Sequence, residues 1–152
     1  MNRIITANEY FEQNSGIVTL CGSTKFFTEC MEANRQLTFK NWIVLMCGSW
    51  PHSYHRNVEN NNVDYAVVKK LHYIKINMSD AIVVVSDESG YIGDSTKAEI
   101  EYAKSRNIPV LYFNGKEFSG EIDTYIYPPN LLPFTHDYSE VDDFAEDNSL
   151  GF

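Results

Sequence analysis

Four short, almost unbroken apolar runs constrain this chain more than any other feature, at residues 17–21, 43–47, 81–85 and 110–113. Each has the length of a strand and lacks the in-and-out alternation of a half-exposed one, so each suits a strand covered on both faces. The segments between them carry helical spacing. Phe27, Cys30, Met31, Asn34 and Leu37 recur at intervals of three and four, which predicts a helix beginning near Thr24 or Lys25 with this stripe along one side. Val63, Val67, Leu71, Ile74 and Met78 recur in the same way and predict a second helix over 63–78. A third is expected over about 96–106, broken by Asn107-Ile108-Pro109 ahead of the last run. The resulting βαβαβαβ order, closed by right-handed crossovers, gives a doubly wound parallel sheet. Ligands of such sheets sit beyond the carboxyl ends of the strands, at a switch point.

A length of 152 residues is enough for one domain to bury a core without disulfides or metals. The expected fold is therefore a single α/β domain over 1–152, Rossmann-like (flavodoxin-like), with a parallel sheet of four to five strands. Residues 48–62 contain Gly, Pro and four Asn and are expected to form a mobile flap after the second strand. Residues 114–152 are expected to be irregular and to pack on this domain or on a neighbouring subunit, with 127–129 extended around its prolines.

The formal charge of -9 opposes a polynucleotide partner, because phosphate backbones are held by Lys and Arg clusters that this chain lacks. A single phosphate remains compatible, since backbone N–H groups of a glycine loop and a helix N-terminus can hold one. Cys21, Cys30 and Cys47 are odd in number and have no CxxC spacing, which predicts buried free thiols in a reducing compartment. The first 16 residues carry no continuous apolar region, and no run approaches the roughly 20 residues of a membrane span. A cytoplasmic protein with no membrane partner is expected.

Two segments carry candidate chemistry. Cys21-Gly22-Ser23-Thr24-Lys25 passes from a strand to a helix through a glycine, two hydroxyls and an amine. Gly22 permits close backbone approach, and Ser23 and Thr24 either donate to an anion or simply cap the helix. The second segment, 90–99, has Gly90 and Gly93 shaping a loop ahead of Asp94, Ser95 and Glu99. Placed in the first turn of a helix, Glu99 is favoured as a carboxylate and can act as a nucleophile. Yet Thr96-Lys97-Ala98-Glu99 also fits a capping box, and spacing alone favours the cap. Tyr91 either stacks on a base or covers apolar surface. His72 and Lys75 share a helix face, where His72 either transfers protons or rests as an ordinary histidine. His52 and His55 form an HxxH pair without a nearby Cys or paired acid to complete a ligand set, so neither a metal nor a cofactor is expected.

Taken together, Cys21-Gly22-Ser23, the run from Ser79-Asp80 through Val85, and residues 90–103 resemble the nucleoside 2-deoxyribosyltransferase superfamily, which includes the deoxynucleoside monophosphate N-hydrolases. The resemblance covers about 17–113 and is strongest at Glu99-Ile100-Glu101-Tyr102-Ala103, which is similar to that family's E-L-G-x-A motif. It implies that Glu99 attacks the anomeric C1' carbon of a nucleoside or nucleotide and displaces the base. The family's supporting Asp, eight residues before Asp80, is replaced here by His72. The sugar- or phosphate-holding Asp or Ser six residues before the nucleophile is replaced by Gly93, with Asp94 and Ser95 following. Ser23 and Lys25 suit a 5'-phosphate, and the resemblance also implies a homo-oligomer. The expected activity is cleavage or transfer at an N-glycosidic bond, with Glu99, Asp94 and His72 catalytic. Gly22, Ser23, Thr24, Lys25, Tyr91, Gly93 and Ser95 are expected to bind substrate. A non-catalytic nucleotide-binding module is the alternative. An NAD glycohydrolase ranks lower, because no G-x-G-x-x-G is present and a larger pocket is needed.

Overall fold

The four apolar runs become adjacent parallel strands in a computed structural model that describes residues 3–56 and 64–128. In chain order the elements are β1 (Ile4–Thr6), α1 (Ala7–Gln13), β2 (Gly16–Cys21), α2 (Phe27–Phe39), β3 (Trp42–Leu45), α3 (Tyr65–Asn77), β4 (Ala81–Val85), α4 (Asp94–Ser105), β5 (Val110–Phe113), β6 (Phe118–Ser119) and β7 (Glu121–Asp123). The main sheet runs β3-β2-β4-β5-β6. Its first four strands are parallel and β6 is antiparallel to β5. The fold is thus α/β, with a mixed five-stranded sheet and four helices among the described residues. None of those helices is long and apolar enough to cross a membrane.

Both faces of the sheet are covered, which is why β4 is buried at every position. On one face, Phe11 of α1 and Ala33 and Leu37 of α2 pack over Val18, Leu20, Val83 and Val85. Phe11 meets Trp42 edge-on at 5.3 Å, and the Trp42 indole N–H donates to the Phe11 carbonyl at 3.0 Å. On the other face, Ile76 of α3 and Ile100 and Ala103 of α4 cover Cys21, Ile82 and Val84. β3, at the edge, leaves Ile43 exposed.

Several boundaries differ from the sequence expectation. The run at 43–47 ends its strand at Leu45, and Met46 and Cys47 continue toward the cavity described below. α2 begins at Phe27 because residues 23–26 close a turn, with Phe26 N–H donating to the Ser23 carbonyl at 3.0 Å. Neither Ser23 nor Thr24 caps it, and its buried line is Cys30, Ala33 and Leu37. α3 begins at Tyr65, where the Asp64 carboxylate accepts from Ala66 N–H; Val63 lies outside the described residues. Its expected stripe faces outward: Val67, Leu71, Ile74 and Met78 are 51%, 48%, 42% and 56% exposed. The helix buries His72 and Ile76 instead. α4 begins at Asp94, two residues earlier than expected, after Gly93, which supplies no side-chain cap.

The amino-terminal helix α1 was absent from the sequence expectation. It carries a complete capping box: Glu9 N–H donates to Thr6 Oγ1 at 3.1 Å, and Thr6 N–H donates to Glu9 Oε1 at 3.3 Å. Residues 114–128 are not wholly irregular either, since β6 extends the main sheet and β7 pairs antiparallel with β1. Tyr127 and Pro128 lie outside any helix, as expected, while residues 129–152 fall outside the described residues. The start of the expected flap is packed rather than loose. Trp50 is buried against Phe27 at 5.2 Å between centroids, its N–H donates to His55 Nδ1 at 3.0 Å, and residues 51–56 form turns. Residues 57–62 are outside the described part.

Candidate functional site

The chain leaves β2 toward the β3 edge and returns across β2 to β4, so the connections after these two neighbouring strands diverge. That divergence opens a crevice at the strand carboxyl ends. Gly22, one residue past β2, makes the crevice possible: its φ is +156° and a Cβ there would fall 2.5 Å from the Val85 carbonyl oxygen. A cavity of about 280 Å³ occupies the crevice. Leu20, Trp50, Val68 and Tyr73 give it apolar walls, and His72, Ser95 and Glu99 supply polar groups.

The chemistry concentrates where α3 and α4 face each other. Glu99 and His72 are each only 8% exposed, and His72 Nε2 lies 3.1 Å from Glu99 Oε1. Glu99 therefore does not close a capping box. α4 starts five residues before it, which places Glu99 in the second turn rather than the first, and its partner is an imidazole on another helix. Thr96, the expected cap, is buried inside the helix. His72 Nδ1 is buried without a hydrogen-bond partner among the described residues. Lys75, expected to share the face of His72, is committed elsewhere: its Nζ donates to the Met46 carbonyl at 2.6 Å and ties α3 to the end of β3.

Burial disfavours the thiolate forms of the nearby cysteines. Burial, reinforced by Glu99, Cys30 and Cys47, holds the Cys21 thiol well above its ordinary range, and burial first also raises Cys30 and Cys47. All three cysteines are free, as expected, but only Cys21 and Cys30 are fully buried and Cys47 is half-buried. The Tyr73 phenol is pushed up by burial and then by Glu99 and Cys21. With thiols and phenol kept neutral, the Glu99 carboxylate and the His72 imidazole are the groups equipped for covalent or proton-transfer work in the cavity.

Of the ten residues singled out in the sequence, Gly22, Thr24, His72, Ser95 and Glu99 line the cavity. Ser23, Lys25, Tyr91, Gly93 and Asp94 do not. Ser23 Oγ accepts from Lys25 N–H at 3.3 Å, and Lys25 Nζ sits 4.0 Å above the Tyr91 ring, a cation–π contact that occupies both side chains. The Tyr91 ring in turn covers Gly93. Thr24 Oγ1 is hydrogen-bonded to His52 Nδ1 at 2.6 Å and so joins this loop to the 48–56 segment. His52 thus bonds across to Thr24, and His55 closes a local turn on the Trp50 backbone.

The sequence reading missed Cys47, Trp50, Tyr65, Val68, Lys69 and Tyr73 as cavity residues. On α3 the signal existed: Tyr65, Val68, Lys69, His72, Tyr73 and Ile76 follow helical spacing, but this mixed stripe is less apolar than the outward one. No protein-family model matches the chain, and no characterised protein matches it in sequence.

Proposed function

We propose that the chain cleaves or transfers the N-glycosidic bond of a nucleoside or nucleoside 5'-monophosphate, with Glu99 as the nucleophile. In this reading it is a relative of the nucleoside 2-deoxyribosyltransferases on a Rossmann-like, flavodoxin-like doubly wound fold. The observation that carries the proposal is the buried Glu99–His72 pair, 3.1 Å apart in a cavity at the strand carboxyl ends. His72 engages Oε1 and leaves Oε2 to attack. A bond forms from Glu99 to C1' as the C1'–N bond breaks, and its electron pair departs on the base nitrogen, which takes up a proton. Water or a second base then attacks C1' and frees the carboxylate, the double displacement of a retaining glycosidic reaction. The imidazole orients the carboxylate and exchanges protons with the leaving base and the incoming nucleophile.

Cavity size favours one nucleoside over a dinucleotide, because about 280 Å³ falls just under the roughly 300–1,000 Å³ of small-molecule sites. Lys69 lines the cavity and Lys25 does not, so Lys69 is the cation assigned to a 5'-phosphate. The outward apolar stripe on α3 supports association of copies into a homo-oligomer, for which light scattering is to show a mass above that of one chain.

The test is chromatographic detection of free base after incubation with nucleosides, nucleoside monophosphates and NAD. Release from the first two classes, lost in Glu99→Ala, is expected; release that persists in a folded Glu99→Ala protein refutes the role of Glu99. Gly93, which brings no side chain where the resemblance implies a sugar or phosphate ligand, favours the second reading, a silent nucleotide-binding module. Tight binding of a nucleotide with no product on prolonged incubation selects that reading.

A further inference from the structure

We propose that Cys21, His72 and Glu99 form a zinc-binding site with an open coordination position facing the cavity. The three side chains come from the end of β2, the middle of α3 and the second turn of α4, and their ligand atoms lie within 4.8 Å of one another. All three are buried, unlike a solvated group of surface acids. Thiolate sulfur, imidazole nitrogen and carboxylate oxygen are the donor types zinc takes. The sulfur discriminates against magnesium and calcium, which take oxygen. Three protein ligands with the fourth position left open is the arrangement of a zinc ion that accepts an outside ligand, and here the opening lies on the side of His72 and Glu99, which line the cavity while Cys21 lies behind them.

His72 Nε2, 3.1 Å from Glu99 Oε1, is the imidazole nitrogen placed to share a metal with that carboxylate, and Nδ1, which has no partner among the described residues, stays outside the coordination. Coordination exchanges a proton for the metal. The Cys21 S–H bond breaks, sulfur keeps the electron pair and donates it to zinc, and the proton passes to buffer. Glu99 and one imidazole nitrogen donate lone pairs unchanged. A carboxylate held by zinc cannot attack C1', so the metal acts as a reversible inhibitor; that consequence rests on the glycosidic reading, whereas binding does not.

The test is titration of the chelator-stripped full chain with Co²⁺ and then Zn²⁺, following the thiolate-to-cobalt charge-transfer absorption. A band that saturates at one metal per chain and is displaced by Zn²⁺ is expected. Cys21→Ser abolishes the band. His72→Gln weakens affinity by more than the roughly 10- to 100-fold that loss of a supporting hydrogen bond costs a metal site. Cys47→Ser and the double variant His52→Ala, His55→Ala retain the band. No saturable band in the unmodified chain, or a band unchanged in His72→Gln, overturns the proposal, as does one that survives Cys21→Ser. Circular dichroism verifies folding, and His72→Gln decides alone if Cys21→Ser unfolds. No substrate is present, so failure of the glycosidic reading and failure of this one are read separately.

Discussion

Replacing Gly22 by Ala tests whether the crevice depends on the close approach of β2 and β4. The new methyl would lie 2.5 Å from the Val85 carbonyl oxygen, and the backbone would have to keep a φ of +156°. Val85 is a buried strand residue, so its carbonyl cannot swing aside as a flexible side chain would. Overpacking of this kind costs roughly 1–3 kcal/mol, and a non-glycine residue in a sparsely populated backbone region costs on the order of 1–3 kcal/mol. Together they predict a loss of about 2–6 kcal/mol, a large share of the roughly 5–15 kcal/mol of a typical domain. For a chain of this size each kcal/mol moves the melting midpoint by roughly 2–4 °C, so Gly22→Ala is expected to melt about 4–24 °C lower. Thermal unfolding followed by circular dichroism measures it. Gly48→Ala is the control, since nothing lies within 4 Å of a Cβ there, and its change is expected to stay within about 0.5 kcal/mol. A Gly22→Ala protein that melts within about 2 °C of the parent refutes the argument.

Thr6→Ala removes the capping box of α1 and is expected to cost about 1 kcal/mol, read as a lower urea midpoint at unchanged slope. Stability is also expected to fall as pH rises above about 9. The Cys21, Cys30 and Cys47 thiols ionise near 9.0 when unfolded but are raised in the folded chain, so the unfolded state binds fewer protons there and gains the advantage. Each such thiol contributes a slope of up to about 1.4 kcal/mol per pH unit. Urea midpoints that stay level between neutral pH and the alkaline range contradict this.

The central strands were legible because burial on both faces writes itself as an unbroken apolar run, and β4 and β5 lie where those runs lie. Helix faces were less legible. On α3 the most regular apolar repeat, Val67, Leu71, Ile74 and Met78, faces outward, while His72 and Ile76 turn inward; periodicity finds a helix but does not say which stripe meets the sheet. Two T-x-x-E signatures make the same point about caps. Thr6 and Glu9 form a true capping box, whereas Thr96 and Glu99 lie inside α4 because the helix starts before them. One signature was passed over and the other over-read, since a local pattern carries no information about what packs beside it. The site shows the same limit. Gly22, His72 and Glu99 were each visible as separate candidates, but the convergence of Cys21, His72 and Glu99 depends on strand order and helix rotation that no single segment encodes. Lys25 and Tyr91, both expected to bind substrate, meet each other in a cation–π contact that their separate segments do not announce.

The central claim is that Glu99 forms a bond to an anomeric carbon, and rapid acid quench of the chain mixed with a nucleoside or nucleoside monophosphate, followed by peptide mass spectrometry, tests it most directly. The account predicts a sugar adduct on the peptide bearing Glu99, absent in Glu99→Gln, with free base released in step. Base release with the adduct on another residue, or at full rate in Glu99→Gln, contradicts it.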